Sequence, residues 1–171
     1  MNHSGMFGVV IERDVKITLH NFTDYFKGFE NVEAVREIFG GDTEKVLNNL
    51  KVEFYSRHGY MGVSDEDGHV VISANYLKNG SQRDIYLDII HELVHVKQFH
   101  NGEELFEHRW EYVDRPTEIE AYAHTIKEAR RIGMTDDEIY EYLKAEWMDK
   151  DDLDRLAHSI GVRIPDESNN K

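Results

Sequence analysis

Ile89-Ile90-His91-Glu92-Leu93-Val94-His95-Val96 is the stretch on which the reading of this chain turns. On a helix, residues four apart sit about 40° apart around the axis and one turn apart along it. His91 and His95 would therefore present their imidazoles from one face, close enough to hold a single ion. Glu92, about 100° around, would stand beside that ion rather than on it, placed to act as general base on a water. Ile89, Ile90, Leu93, Val94 and Val96 surround the motif with apolar side chains, so the helix is expected to be buried. Two histidines and a glutamate are costly in such surroundings unless something partners them. The chain has no cysteine, so any metal must be held by histidine and carboxylate, and neutral imidazole suits zinc.

Working outward, Ser81 followed by Asp84 predicts the start of this helix, and Asn101-Gly102 its end. Upstream, residues 8–12 and 15–20 alternate as short strands do, and 31–39 carries a helical stripe closed by Gly40-Gly41. Asp42 would cap a second short helix burying Val46, Leu47 and Leu50. The period then drops to two over 51–56, 60–64 and 69–74. Asp65-Glu66-Asp67-Gly68 joins the last two as a hairpin turn. Asn79-Gly80 marks another turn.

Downstream, Pro116 opens a helix that runs from Thr117 to about Ile132 and stops at Gly133. Thr135 and Glu138 form a capping box for a helix reaching Trp147, whose stripe of Ile139, Tyr140, Leu143 and Trp147 reads as core. A last helix over 151–159 stops at Gly161. Strands first and helices last predict an α+β domain over 1–162, followed by a polar tail over 163–171.

A catalytic zinc needs a third protein ligand and an open position. An extended HExxHxxGxxH pattern would place a histidine at 101, where Asn101 stands, with His100 one position out of register. His108 and His124 are further options, and Glu120 is a fallback. The best placed is Glu118, in Pro116-Thr117-Glu118-Ile119-Glu120-Ala121-Tyr122-Ala123, early in a proline-started helix where the small Ala121 permits close approach. Glu120, two positions on, faces another part of that helix, so both cannot ligate. Tyr122 shares the face of Glu118 and is a candidate oxyanion stabiliser, with His100, His108, Tyr112 and His124 in adjoining segments. Asp88, one turn before His91, is placed either to hold that imidazole or to face solvent.

The pair His91-Glu92-Leu93-Val94-His95 and Glu118-Ile119-Glu120-Ala121 resembles the gluzincin clan of metallopeptidases. The run from His91 to Gln98, together with residues 114–123 in so short a chain, is most similar to the minigluzincins, compact single-domain prokaryotic peptidases. The resemblance spans roughly residues 70–133. It implies a zincin-like domain: a small antiparallel or mixed sheet whose edge strand, here 69–74, pairs with extended substrate over the active-site helix. It also implies zinc held by His91, His95 and Glu118, with Glu92 as the catalytic base. Where the wider clan carries aspartate four residues after the ligand glutamate this chain has Tyr122, and the repressor-cleaving ImmA/IrrE-type peptidases usually have asparagine.

The expected function is zinc-dependent hydrolysis of peptide bonds in extended peptide or protein substrates. The alternatives are a silent zinc-binding regulatory module and a specific repressor-cleaving peptidase; a base such as Glu92 has no use in an inert site. Latency imposed by a C-terminal segment is a minigluzincin feature, and the tail here offers Asp166 and Glu167 to an open zinc position. A formal charge of −14 argues against nucleic acid. Residues 1–14 lack the form of a signal peptide, and no long apolar run is available to span a bilayer, so a cytoplasmic location is expected.

Overall fold

The computed structural model describes residues 5–166. The elements in chain order are β1 (Val10–Ile11), β2 (Leu19–Asn21), α1 (Phe22–Tyr25), β3 (Phe26–Lys27), α2 (Glu33–Phe39), α3 (Thr43–Asn49), β4 (Lys51–Tyr55), β5 (Met61–Val63), β6 (Val70–Ser73), α4 (Ala74–Asn79), α5 (Gln82–His100), α6 (Pro116–Arg131), α7 (Asp136–Leu143) and α8 (Lys150–Ser159). The class is α+β. The chain divides into two compact units, Met1–Leu105 and Phe106–Lys171.

The first unit holds both sheets. β1 and β3 form a two-stranded ribbon, and the larger sheet runs β2-β4-β6-β5. β4 and β6 are parallel, while β2 and β5 pair antiparallel at the two ends. The hairpin is the one read from Asp65-Glu66-Asp67-Gly68: Met61 faces Ile72 and Val63 faces Val70. Its turn closes through Ser64 N–H to the His69 carbonyl at 2.9 Å and Gly68 N–H to the Ser64 carbonyl at 2.9 Å. Gly68 takes φ +79°, and a Cβ there would stand 2.4 Å from Cδ1 of Phe99 on α5, so the turn needs glycine on both counts.

One expectation is overturned here. Strand 69–74 is not the sheet's edge: β6 is paired on both sides, by β4 and β5. The hairpin returns β6 inward to a parallel partner and leaves the short β5 outermost, and a parallel pairing at long range leaves no mark on the strand's own alternation.

The core of this unit is aromatic and aliphatic. Phe22, Phe26, Phe29, Phe54 and Tyr86 are at most 1% exposed. Phe26 lies 6.3 Å from Phe54 and Phe29 lies 5.9 Å from Tyr86, ring centre to ring centre. Tyr86 thus ties α5 to the layer beneath it. α4 is absent from the sequence reading, because it is one six-residue piece that buries only Leu77 and shows no period. It starts on Ser73, whose hydroxyl accepts from the Tyr76 N–H at 3.5 Å.

The second unit is helical. Pro116 is the first residue of α6, and Thr135 and Glu138 form the capping box of α7. α7 stops at Leu143, because Lys144 turns extended (φ −61°, ψ 127°). Trp147 therefore falls off the apolar stripe and is 57% exposed, against its expected place in the core. Ile139, Leu143, Leu153, Leu156 and Ala157 do pack as core. The tail is tied down where it begins: Arg163 N–H donates to Asp136 Oδ2 at 2.9 Å, and Val162 just before it is buried. Glu167 and the rest of the tail lie outside the described residues. No helix among them is long and apolar enough to cross a membrane.

Candidate metal centre

α5 is built by burial rather than by propensity. Its β-branched residues Ile85, Ile89, Ile90, Val94 and Val96 are indifferent helix formers, and each is at most 1% exposed. Its ends are set locally. The Ser81 hydroxyl accepts from the Asp84 N–H at 3.1 Å. At the other end, Gly102 N–H reaches the Phe99 carbonyl and Glu103 N–H the Gln98 carbonyl, both at 3.0 Å, which is the Schellman closure.

His91, Glu92 and His95 are 6%, 8% and 5% exposed, in the middle of this helix. The Nε2 atoms of His91 and His95 are 3.1 Å apart, with the rings nearly perpendicular at 80°. Two imidazole nitrogens facing each other at that distance are held by a shared proton or by a cation between them. Two nitrogens at about 2.0–2.1 Å from one zinc, about 109° apart, would be separated by about 3.3 Å, so the pair fits that ion.

The tautomer is fixed from behind. His95 Nδ1 donates to Gln98 Oε1 at 2.7 Å, and Gln98 is 1% exposed. With the proton on Nδ1, the Nε2 lone pair of His95 is available to a metal. This partner was missed in the sequence, where Gln98 reads as one more polar residue near a helix end. Its spacing of three from His95 is the signal that could have found it.

Asp88 accepts from the Tyr76 hydroxyl, joining α4 to α5 one turn before His91. Burial, reinforced by the Asp88 charge, raises the Tyr76 pKa far above its ordinary value, so the phenol stays a donor.

In the second unit, Glu118 lies in the first turn of α6 and is 6% exposed, whereas Glu120 is exposed. His91, His95 and Glu118 make up a buried group that could hold a metal ion. His100 and His108 are exposed, and none of His100, His108, His124 and Glu120 belongs to the group. Tyr122 is buried, and its hydroxyl is hydrogen-bonded to that of Tyr112 at 2.8 Å. A further trio, Asp149, Asp151 and Asp152, is largely exposed and serves the start of α8, where the Asp149 carboxylate accepts from the Asp152 N–H at 2.8 Å. Comparison with family models, curated proteins and solved structures finds no match.

Proposed function

We propose that this chain is a zinc-dependent metallopeptidase of gluzincin type, cleaving peptide bonds in extended peptide or protein substrates. The observation that carries the proposal is the histidine pair on buried α5: His91 and His95 with Nε2 atoms 3.1 Å apart, His95 fixed by Gln98, and Glu92 next to His91 in the chain. His91, His95 and Glu118 would be the ligands, and their nitrogen and carboxylate atoms match zinc's preferences. Zinc, when bound, supplies Lewis-acid polarisation of a carbonyl and acidifies water at neutral pH.

The chain's own groups do the rest. Glu92 takes a proton from water and returns it to the leaving amine. Tyr122 donates its hydroxyl to developing oxyanion charge. β5, the terminal strand of the sheet and a neighbour of α5, takes the role expected of strand 69–74: its outer edge offers main-chain groups to an extended peptide. The C-terminal segment over 163–171 limits access to catalysis, and the protein works in the cytoplasm.

The test is Glu92→Gln. Hydrolysis of an unfolded protein substrate should fall by about 10² or more with zinc retained. Undiminished hydrolysis would exclude Glu92 as the base, and loss of zinc with activity would make it a ligand instead.

A further inference from the structure

A concavity opens in the first unit, between α3, the start of β4, the hairpin turn and the last residue of α5. Its volume is about 380 Å³, within the range of small-molecule pockets. Val46 and Leu50 give it apolar surface, and Lys45, Lys51, His69 and His100 bring nitrogen cations or proton acceptors to its wall.

The charge pattern is what distinguishes it. Acidic residues outnumber basic ones by 34 to 20 in this chain, yet two lysines meet at one hollow. Neither forms an ion pair among the described residues; the Lys51 ammonium donates to the neutral Asn21 Oδ1. Two carboxylates also line the hollow. Asp67 is already matched, accepting from both the backbone N–H and the ring of His69. The other His69 nitrogen meets Glu53 Oε2 at 2.9 Å, so the imidazole is held rigidly between two acids. Asp42 is exposed. The Lys45 ammonium and the remaining N–H donors of Lys51 are therefore left to the solvent or to a ligand.

We infer that this hollow binds a small organic anion, a carboxylate or phosphate on a compact apolar body, through Lys45 and Lys51 with Val46 and Leu50 against the body. The ammonium groups supply charge-assisted hydrogen bonds, and the apolar wall removes the ligand's hydrocarbon from water. The site is independent of the metal centre and of its chemistry.

Phenyl phosphate is a suitable probe, with benzyl alcohol as its neutral counterpart, titrated into the full-length protein and followed by backbone amide NMR. Saturable shifts should appear at residues 45–51, 67–69 and 100 with phenyl phosphate and not with benzyl alcohol. Lys45→Glu with Lys51→Glu should weaken binding about tenfold or more, the scale of losing one or two charge-assisted contacts. Both lysines are exposed, so the fold should persist, and Lys45→Gln with Lys51→Gln serves if charge reversal disturbs it. Absence of saturable shifts there, equal binding of benzyl alcohol, or unchanged affinity in the glutamine pair would each overturn the inference.

Discussion

At the scale of single residues, metal binding depends on which groups hold the ion and which groups hold those ligands. Gln98 is the informative case, because it touches His95 Nδ1 and nothing in the chemistry needs it directly. Gln98→Leu should weaken zinc binding about 10–100-fold, as loss of a ligand's hydrogen-bond partner does, and Gln98→Glu should restore most of it. Competition against a chromophoric chelator reads both, and equal affinities across the three proteins would remove Gln98 from the site. The same assay separates the two glutamates of α6. Glu118→Ala should lose affinity, whereas Glu120→Ala, a change on an exposed face, should not. The reverse order would reassign the third ligand.

At the scale of elements, the hairpin turn against α5 is the most exacting junction. A methyl at Gly68 meets both an unfavourable φ and the Phe99 ring, so Gly68→Ala should cost about 1–3 kcal/mol in denaturant unfolding. A cost near zero would show that Phe99 moves aside freely. His69, at the base of the same turn, adds a pH dependence. Burial lowers its pKa, but the Asp67 and Glu53 carboxylates outweigh this and the net shift is upward. A raised pKa means the folded state holds the proton more tightly than the unfolded chain does. That stabilisation is complete below the unfolded value of about 6.5 and is lost as pH rises through the higher folded value. Thermal melts should show this loss above pH 6.5 in the native sequence and not in His69→Gln; parallel profiles would contradict it.

The elements also show how far the sequence could be read. Caps and stops are local, so Ser81, Pro116 and the glycines at 102 and 133 placed both ends of α5 and α6 closely, and the Thr135–Glu138 box placed the start of α7. The hairpin was legible for the same reason. What a strand pairs with on its far side is not local: nothing in Val70–Ser73 announces β4 as a parallel neighbour, and so β5, not β6, forms the edge. Trp147 misled because the helical period continues past Leu143 while the backbone does not. Within the candidate site, the spacing of four in the sequence foretold the close pairing of His91 with His95 on α5, and Pro116 foretold the place of Glu118 in the first turn of α6. Gln98 was not foretold, because its role lies in one hydrogen bond rather than in a pattern.

At the scale of the whole molecule, the tail and the metal content are the quantities to measure. The junction with the tail is packed, with Val162 buried and Arg163, the first tail residue, bound to Asp136, so cutting there would damage the second unit. Truncation after Asp166 spares those contacts. If the tail restrains catalysis, the truncated protein should hydrolyse peptides several-fold faster at equal zinc loading, since a tethered inhibitor acts at an effective millimolar concentration. Equal rates would end the latency proposal and leave the peptidase proposal standing. The central claim is met most directly by counting metal. Purified protein, stripped and reconstituted with zinc, then freed of excess ion, should carry about one zinc per chain by elemental mass spectrometry, as a three-ligand site requires, and His91→Ala should carry none. A folded native protein that retains no zinc, or a His91→Ala variant that retains as much as the native chain, would contradict the account.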